Sequence, residues 1–480
     1  MQLPPDERVI PHIKRLIWIY FWLLIFEGAL RKWLLPRFSD PLLIVRDPVV
    51  LAIYLLAIKA HVFPRNGFVF SLAIIAGLAW PIGALVLEPY LSWKPLLFVT
   101  GYGFRSNFLH LPLIFVIAKV FSSDDVKKMG WWILLLLIPL TLLVAMQFSA
   151  SPDAFINRTA GTGEAQQITA GGGKIRPPGT FSFISGMIFY AAASAAFLIY
   201  GALSRGTYRN WLLFAAGFAL VVTTAVSGSR SVLLAILIVV ASLAVIILVR
   251  PSAINSFGRN LLIVVAVGLI VTRLPIFKEG LEILGERFTA SAEAGETTVA
   301  GDLLTRVTSG FQEGFYVLTK APAFGYGLGI GTNAGAKFLT GRSMFLLAEG
   351  EWTRVLLESG PIVGFAFIVW RILIAFRLGL LSLRLLRSGE VLPIILYSAC
   401  FLTLVNGQFG QPTNLGFAVL LGGLCLASTN LDYYRIRPAE KERPTGGDPP
   451  VKRLPRRSPH AERLHQTVAP REQPNGAADR

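Results

Sequence analysis

The sequence predicts an all-α polytopic membrane protein with about twelve transmembrane helices and a large outer, periplasmic loop between the ninth and tenth. The 480-residue chain is 54% hydrophobic and 15% charged, whereas soluble domains carry about 25% charged residues. Apolar stretches of about 17–22 residues recur along it, and each is long enough to cross roughly 30 Å of hydrocarbon as a helix. Both observations exclude an ordinary soluble fold.

The apolar stretches define the predicted spans in chain order. The first contains Glu27 and Arg31, one helical turn apart, which we expect to pair with each other. No small-residue cleavage site follows it, so we expect an uncleaved helix instead of a removed leader. The stretch Leu91–Thr100 is predicted to be a re-entrant or interfacial segment, or a loop. The predicted spans are 16–35, 42–60, 68–87, 104–121, 129–148, 181–201, 211–226, 232–249, 260–276, 359–378, 391–407 and 414–430.

Basic residues predict how the spans are oriented. They fall in alternate connections, which the positive-inside rule assigns to the cytoplasm, so both termini are predicted to be cytoplasmic. The first outer link is an exception, because it holds Arg31, Lys32 and Arg37. The residues that follow the rule are Lys14, Arg15, Lys59, Arg65, Lys119, Lys127, Lys128, Arg205, Arg209, Arg250, Arg259, Arg377, Arg384 and Arg387.

The chain divides into a cytoplasmic N-terminus, a membrane domain and a cytoplasmic tail, predicted at 1–15, 16–430 and 431–480. The tail is rich in Pro, Arg and Glu and lacks apolar periodicity, so it is predicted to be disordered. Two long outer loops, 149–180 and 277–359, lie within the membrane domain, and the second is too long to be a mere connection. Within it we expect a surface helix at Asp302–Thr319 and a glycine-rich turn at Phe324–Thr332.

Charge and cysteine content exclude several classes of function. The net charge of +17 is spread over short loops and the tail without an aromatic-interleaved cluster, so no nucleic-acid partner is predicted. Cys400 and Cys425 both fall in predicted spans, where they are expected to be small packing residues and not part of a disulfide or zinc site. No Asp-rich cluster lies on the outer side. We therefore predict no metal and no cofactor.

Two outer arginines are candidate phosphate ligands. Arg176 lies just before a span, and Arg230 lies in the short link Ser227–Ser231 between two spans. A guanidinium group is always charged and grips phosphate oxygens with two hydrogen bonds. The alternative is that each arginine snorkels to lipid headgroups. Glycine-rich surroundings favour the ligand role, since small residues allow a ligand to approach closely.

Candidate bases lie where the second outer loop ends. Glu349 and Glu351 stand near the predicted membrane face, and either carboxylate is suited to take a proton from an acceptor hydroxyl. The alternative is an acidic cap at a helix N-terminus. His110 is a reserve base or a packed polar residue, and Arg354 and Tyr326 are possible supporting residues.

The order of these motifs resembles the O-antigen ligase and polymerase superfamily. The resemblance rests on Arg176–Phe181 before a span, Gly228–Ser231 between spans, Gly325–Gly329 in the large outer loop and the Glu-x-Gly pattern that leads into the next span, with about twelve spans in all. It implies a bacterial inner-membrane enzyme that moves a glycan from an undecaprenyl diphosphate carrier to a glycan, lipid or protein acceptor on the periplasmic face. Membrane lipids are its other implied partners.

The resemblance also implies roles for individual residues. Arg176 and Arg230 would bind the lipid diphosphate and neutralise charge on the leaving phosphate as the acceptor hydroxyl inverts the anomeric carbon. The family's usual histidine is absent, and Glu349-Gly350 stands about ten residues before Gly360 instead. Either a glutamate serves as base, or this branch acts differently or has a distinct role. The segment Glu27–Trp33 resembles a feature of a divergent subgroup.

The main alternative is a transporter or flippase of polysaccharide or lipid-linked oligosaccharide. Transporters often have repeated halves and broken helices at the membrane midplane. The first and second six spans show no repeat, and the large outer loop has no counterpart in the first half. The sequence therefore favours the enzyme, and ligase and polymerase both remain open.

Overall fold

A computed structural model describes residues 6–161, 167–250, 299–342 and 344–429. For residues 299–307 it describes the backbone alone. This part of the chain is mostly helical. Its α-helices are α1 (Ile10–Ala29), α2 (Asp47–Lys59), α3 (Gly67–Leu87), α4 (Trp93–Phe104), α5 (Leu113–Val120), α6 (Ser123–Ser149), α7 (Ile184–Leu203), α8 (Asn210–Val226), α9 (Arg230–Val249), α10 (Val299–Leu318), α11 (Asn333–Thr340), α12 (Glu351–Ser388), α13 (Leu392–Asn406) and α14 (Pro412–Ser428). A two-stranded antiparallel hairpin, β1 (Thr169–Gly171) and β2 (Lys174–Ile175), precedes α7.

Within the described ranges, six helical segments are long and apolar enough to cross a membrane by length and composition. They are Pro41–Lys59, Gly67–Leu87, Ser123–Ser149, Ile184–Leu203, Arg230–Val249 and Glu351–Ser388. Shorter apolar helices, α8, α13 and α14, coincide with three further predicted spans. The architecture is therefore that of an all-α membrane protein. The predicted span 260–276 and the predicted tail 431–480 lie outside the described residues, and the count of about twelve spans stays a prediction.

The predicted span 104–121 is broken into two parts. Helix α4 runs on into a π-helical turn, Arg105–Leu109, and α5 begins only after Pro112. Proline lacks the N–H that the helical ladder needs, and its ring clashes with the preceding turn. The stretch Leu91–Thr100 is correspondingly helical over most of its length. The π-helical turn carries polar residues that the site uses, and such turns are frequent at functional sites.

Helix α12 bends at Gly360. This residue has φ +72° and ψ 171°, which is not helical, and Pro361 follows it. The helix therefore consists of a short first part, Glu351–Ser359, and a long apolar second part. The predicted span 359–378 begins at this bend. The first part and the loop before it position the candidate site.

Helix α14 lies at the centre of the bundle. Nearly every residue from Asn414 to Ser428 is buried, and α5 packs closely along it. Outer helices bury only part of their apolar surface: Leu55, Phe70 and Leu85 are each more than two-thirds exposed. In a membrane protein such exposed apolar faces are the surfaces that meet lipid.

Candidate functional site

The two candidate arginines lie on segments that touch each other. Ala170 of β1 packs against Gly228 of the link, and a Cβ added to Gly228 would lie 2.5 Å from the Ala170 Cβ. Gly228 also has φ +55°, which disfavours any other residue. The Arg176 Nε donates to the Thr169 carbonyl at 3.1 Å, so this side chain folds back along the same hairpin. The structure thus brings the Arg176 hairpin onto the Arg230 link.

Arg230 is the first residue of α9 and is 9% exposed. The N-terminus of a helix carries a partial positive charge, so a cation there is unfavourable for the helix itself. The same combination of a helix N-terminus and a guanidinium is favourable for an anion. The position of Arg230 is therefore unlike the acidic or polar caps that stabilise helix starts.

The segment that follows Arg176 is held by α1 and by the π-helical turn Leu30–Leu34 that continues it. Gly28 of α1 lies so close to it that a Cβ would overlap the backbone of Thr180 and Ser182. The Lys32 Nζ donates to the Gly179 carbonyl at 2.6 Å. An Arg31 Nη donates to the Ser182 hydroxyl at 3.0 Å. The sequence motif Glu27–Trp33 thus packs against the segment that follows Arg176 and holds it in place.

A glutamine from α6 also holds the segment that follows Arg176. Gln147 accepts a hydrogen bond from the Gly179 N–H at 2.8 Å and donates to the Gly179 carbonyl at 3.3 Å. Gly179 has φ +62°, so its turn is fixed by backbone conformation as well as by these partners. The chain that connects Arg176 to α7 is therefore held at Gly179, by both Lys32 and Gln147.

Glu27 sits in a pair of buried ion pairs. Its carboxylate lies 3.6 Å from an Arg31 Nη and 3.1 Å from the Arg46 Nε. The predicted pairing of Glu27 with Arg31 is confirmed, and Arg46 is an additional partner. Arg31 and Arg46 thus share the Glu27 carboxylate.

The two candidate bases have opposite environments. Glu349 is exposed, whereas Glu351 is 2% exposed. Both oxygens of Glu351 accept hydrogen bonds from Arg354, each at 3.0 Å. An Nη of Arg371 donates to one of these oxygens at 2.7 Å. Glu351 is therefore a fully engaged carboxylate, while the side chain of Glu349 meets solvent.

Arg354 joins this pair to a second buried carboxylate. It donates to Glu358 at 2.7 Å and to the side-chain Oδ1 of Asn107 at 2.8 Å. Glu358 accepts in turn from the Gly331 N–H at 2.9 Å. The buried network therefore ties α12 to the π-helical turn and to the glycine-rich loop. Two guanidinium groups, Arg354 and Arg371, balance two carboxylates here.

The glycine-rich loop donates hydrogen bonds to the backbone carbonyls that the bend in α12 leaves without helical partners. Pro361 has no N–H to give to the Leu357 carbonyl, and that carbonyl accepts instead from Tyr326 N–H at 2.7 Å. The Glu358 carbonyl accepts from Gly327 N–H at 3.1 Å. The Tyr326 ring is half exposed. The predicted turn at 324–332 is thus an ordered loop docked on the first part of α12.

The reserve base, His110, lies in a separate buried network. Its Nε2 is 2.8 Å from Asp47, and its Nδ1 is 3.3 Å from the Tyr20 hydroxyl. Asp47 also binds Arg105 through both oxygens, at 3.1 and 2.8 Å. Since its ring is fully buried and engaged on both nitrogens, His110 is placed as a packed polar residue.

Two glutamines connect the Glu349 region to the Arg176 region. The Gln408 Nε2 donates to the backbone carbonyl of Glu349 at 2.7 Å. The side-chain Oε1 of Gln408 accepts from the Gln411 Nε2 at 2.8 Å. The hydroxyl of Ser185, near the start of α7, donates to Gln411 at 3.2 Å. Glu349, Gln408 and Gln411 also line one small pocket with Thr332 and Phe345. The loop-closing glutamate and the start of α7 therefore belong to one end of the bundle.

Sequence reasoning overlooked several of these residues, and three of them shared a signal. Gln147, Asn107 and Arg371 are polar or charged residues inside predicted apolar spans, and such residues usually face a functional interior. Gln408 and Gln411 carried no comparable signal, since they lie in a short polar link. Within the described ranges, no three His, Cys, Asp or Glu side chains gather as a metal site. Both cysteines there are buried free thiols.

No protein-family model matches this chain. A search of curated proteins also finds no significant match.

Proposed function

We propose that this protein is a membrane glycosyltransferase of the surface-polysaccharide ligase or polymerase type. It would move a glycan from undecaprenyl diphosphate to an acceptor hydroxyl at the periplasmic face of the bacterial inner membrane. The contact between the Arg176 hairpin and the Arg230 link carries the proposal. Two guanidinium groups from distant parts of the sequence, with the N-terminus of α9, form an environment suited to a diphosphate.

The proposed reaction is a displacement with inversion at the anomeric carbon. The acceptor oxygen forms a bond to that carbon, and the bond between the carbon and the diphosphate oxygen breaks. The departing electron pair adds negative charge to the diphosphate, where Arg176 and Arg230 neutralise it. The acceptor proton passes to a carboxylate.

Glu349 is the better base of the two glutamates. Its exposed side chain is free to meet an acceptor, and its backbone is linked through Gln408 and Gln411 to the segment after Arg176. Glu351 has no oxygen without a guanidinium donor. Its role in the proposal is to hold Arg354 and the start of α12 in place.

A complementation experiment tests the proposal. The gene is deleted, and surface polysaccharide is examined after complementation with wild type, Arg176→Ala, Arg230→Ala or the control Arg37→Ala. Arg37 is an exposed cation of the first predicted outer link and has no role in the proposed reaction. We expect loss of polysaccharide for the first two variants at normal protein levels and wild-type polysaccharide for Arg37→Ala.

The accumulated intermediate distinguishes the candidate functions. Long undecaprenyl-linked glycan indicates a ligase, and single linked repeat units at the periplasmic face indicate a polymerase. Lipid-linked units trapped in the cytoplasmic leaflet would instead indicate a flippase. Normal polysaccharide with both arginine variants fully expressed would contradict the proposed diphosphate site.

A further inference from the structure

A second site lies at the other end of the bundle. A groove of about 960 Å³ opens where α2 and α5 end, where α3 begins and beside the second part of α12. About 22 Å of helix α3 separate Gly83, which contacts Leu328 of the glycine-rich loop, from Phe68, which lines this groove. The groove is therefore distinct from the region of Glu349. Its volume is within the range of about 300–1,000 Å³ that is typical of ligand sites.

The inner wall of the groove is aromatic and aliphatic. Phe68 packs edge-on against Trp370 with ring centroids 6.2 Å apart and lies over Phe115 at 6.0 Å. The Trp370 indole N–H donates to the Phe68 carbonyl at 2.9 Å, which fixes the orientation of the ring. Leu373 and Leu381 of α12 continue this surface. The wall is thus a rigid apolar surface suited to hydrocarbon.

The rim of the groove is cationic. Arg65 precedes α3, Lys119 lies at the end of α5, and Arg377 lies on α12. All three side chains are exposed, and no carboxylate among the described residues lines the groove. Three cations from three separate elements therefore converge on one apolar opening. A single snorkelling residue would require no such convergence.

We propose that this groove binds an anionic phospholipid. Arg65, Lys119 and Arg377 hold the phosphate, and an acyl chain lies along Phe68, Phe115 and Trp370. Basic pockets between transmembrane helices on the cytoplasmic side recognise anionic headgroups in this way. The charge rule predicts that all three cations are on that side. This inference stands apart from the proposed glycosyl transfer, because it uses none of the same residues.

Native mass spectrometry of the detergent-purified full chain tests the proposal. The probes are phosphatidylglycerol, phosphatidylcholine with the same acyl chains, and inorganic phosphate. We expect retention of phosphatidylglycerol alone. The triple variant Arg65→Gln, Lys119→Gln, Arg377→Gln should bind it about 100-fold more weakly, since each cation near an anionic lipid surface contributes about fivefold.

Two further variants keep the experiment decisive. The triple Arg205→Gln, Arg209→Gln, Arg384→Gln removes the same charge from exposed positions outside the groove and should bind like wild type. Ser71→Phe keeps the cations but places a ring in the groove, and it should also lose the lipid. Equal retention of phosphatidylcholine, or unchanged binding in the groove triple, would overturn the proposal. If millimolar inorganic phosphate displaced phosphatidylglycerol, the proposal of a lipid ligand would be overturned, and the result would indicate a soluble anion.

Discussion

Two neighbouring glutamates in this protein have different physical roles, although the sequence presents them alike. Glu351 accepts three guanidinium hydrogen bonds and is almost fully buried. Glu349, two residues earlier, is exposed. A buried carboxylate between two guanidinium groups is required for their burial, because removing one partner leaves an uncompensated charge. Glu351 therefore acts on stability, and the proposed role of base belongs to Glu349.

Replacing each glutamate by glutamine separates these roles. Glu351→Gln should lower the free energy of unfolding by about 3–5 kcal/mol, since Arg371 loses its countercharge and Arg354 keeps only Glu358. Glu349→Gln should unfold like wild type and lose glycan transfer. Thermal unfolding of the detergent-purified variants, followed by tryptophan fluorescence, provides the measurement. A Glu351→Gln protein as stable as wild type would contradict the structural role.

At the scale of elements, the site is assembled by close backbone packing at glycines. Gly28 allows α1 to lie against Thr180 and Ser182, and Gly228 allows the link to lie against β1. Gly360 bends α12 so that the glycine-rich loop satisfies the carbonyls that Pro361 leaves open. Each contact joins segments far apart in the sequence. The site is therefore sensitive to a single added methyl group at these positions.

The pair Gly28→Ala and Gly77→Ala tests this sensitivity. Both residues lie inside helices, but nothing lies within 4 Å of a Cβ at Gly77. Gly77→Ala should therefore be neutral or stabilise by about 0.5–1 kcal/mol through helix propensity. Gly28→Ala should displace the segment after Arg176 and reduce transfer at least tenfold. Limited proteolysis near residues 176–182 reports the displacement, and equal cleavage in both variants would count against it.

For the whole molecule, the structure separates two chemically different ends. Tyr326 and Glu349 lie at the end that carries the candidate site, whereas Arg65 and Arg377 line the groove at the other. The positive-inside rule predicts that the groove end is cytoplasmic. The proposed reaction requires the other end to face the periplasm.

Single-cysteine labelling checks this orientation. In a Cys400→Ala, Cys425→Ala background, cysteines at Tyr326 and Glu349 should react with a membrane-impermeant maleimide in spheroplasts. Cysteines at Arg65 and Arg377 should react only after permeabilisation. Both native cysteines are buried, so their removal leaves the exposed surface unchanged. The reverse labelling pattern would place the candidate site in the cytoplasm and exclude a periplasmic transferase.

The sequence predicted the helices better than their contacts. Hydropathy located α3, α9 and α14 to within a few residues, because length and apolar composition determine a spanning helix. The break before α5 was missed, since Pro112 interrupts a run that is otherwise apolar. The pairing of Arg371 with Glu351 depends on the bend of α12 at Gly360, which folds the first part of the helix back on the second. No local pattern contains that information.

Turnover of a defined donor by the purified protein tests the central claim most directly. The full chain in nanodiscs receives an undecaprenyl diphosphate-linked glycan and an acceptor, and release of undecaprenyl diphosphate is measured. We expect Arg176→Ala and Arg230→Ala each to slow release by about 10²–10³-fold, the usual effect of removing one group that stabilises transition-state charge. Lysine at either position should restore part of the rate, because charge is kept while the two-pronged grip is lost. Release by the double alanine variant at the wild-type rate would contradict the account.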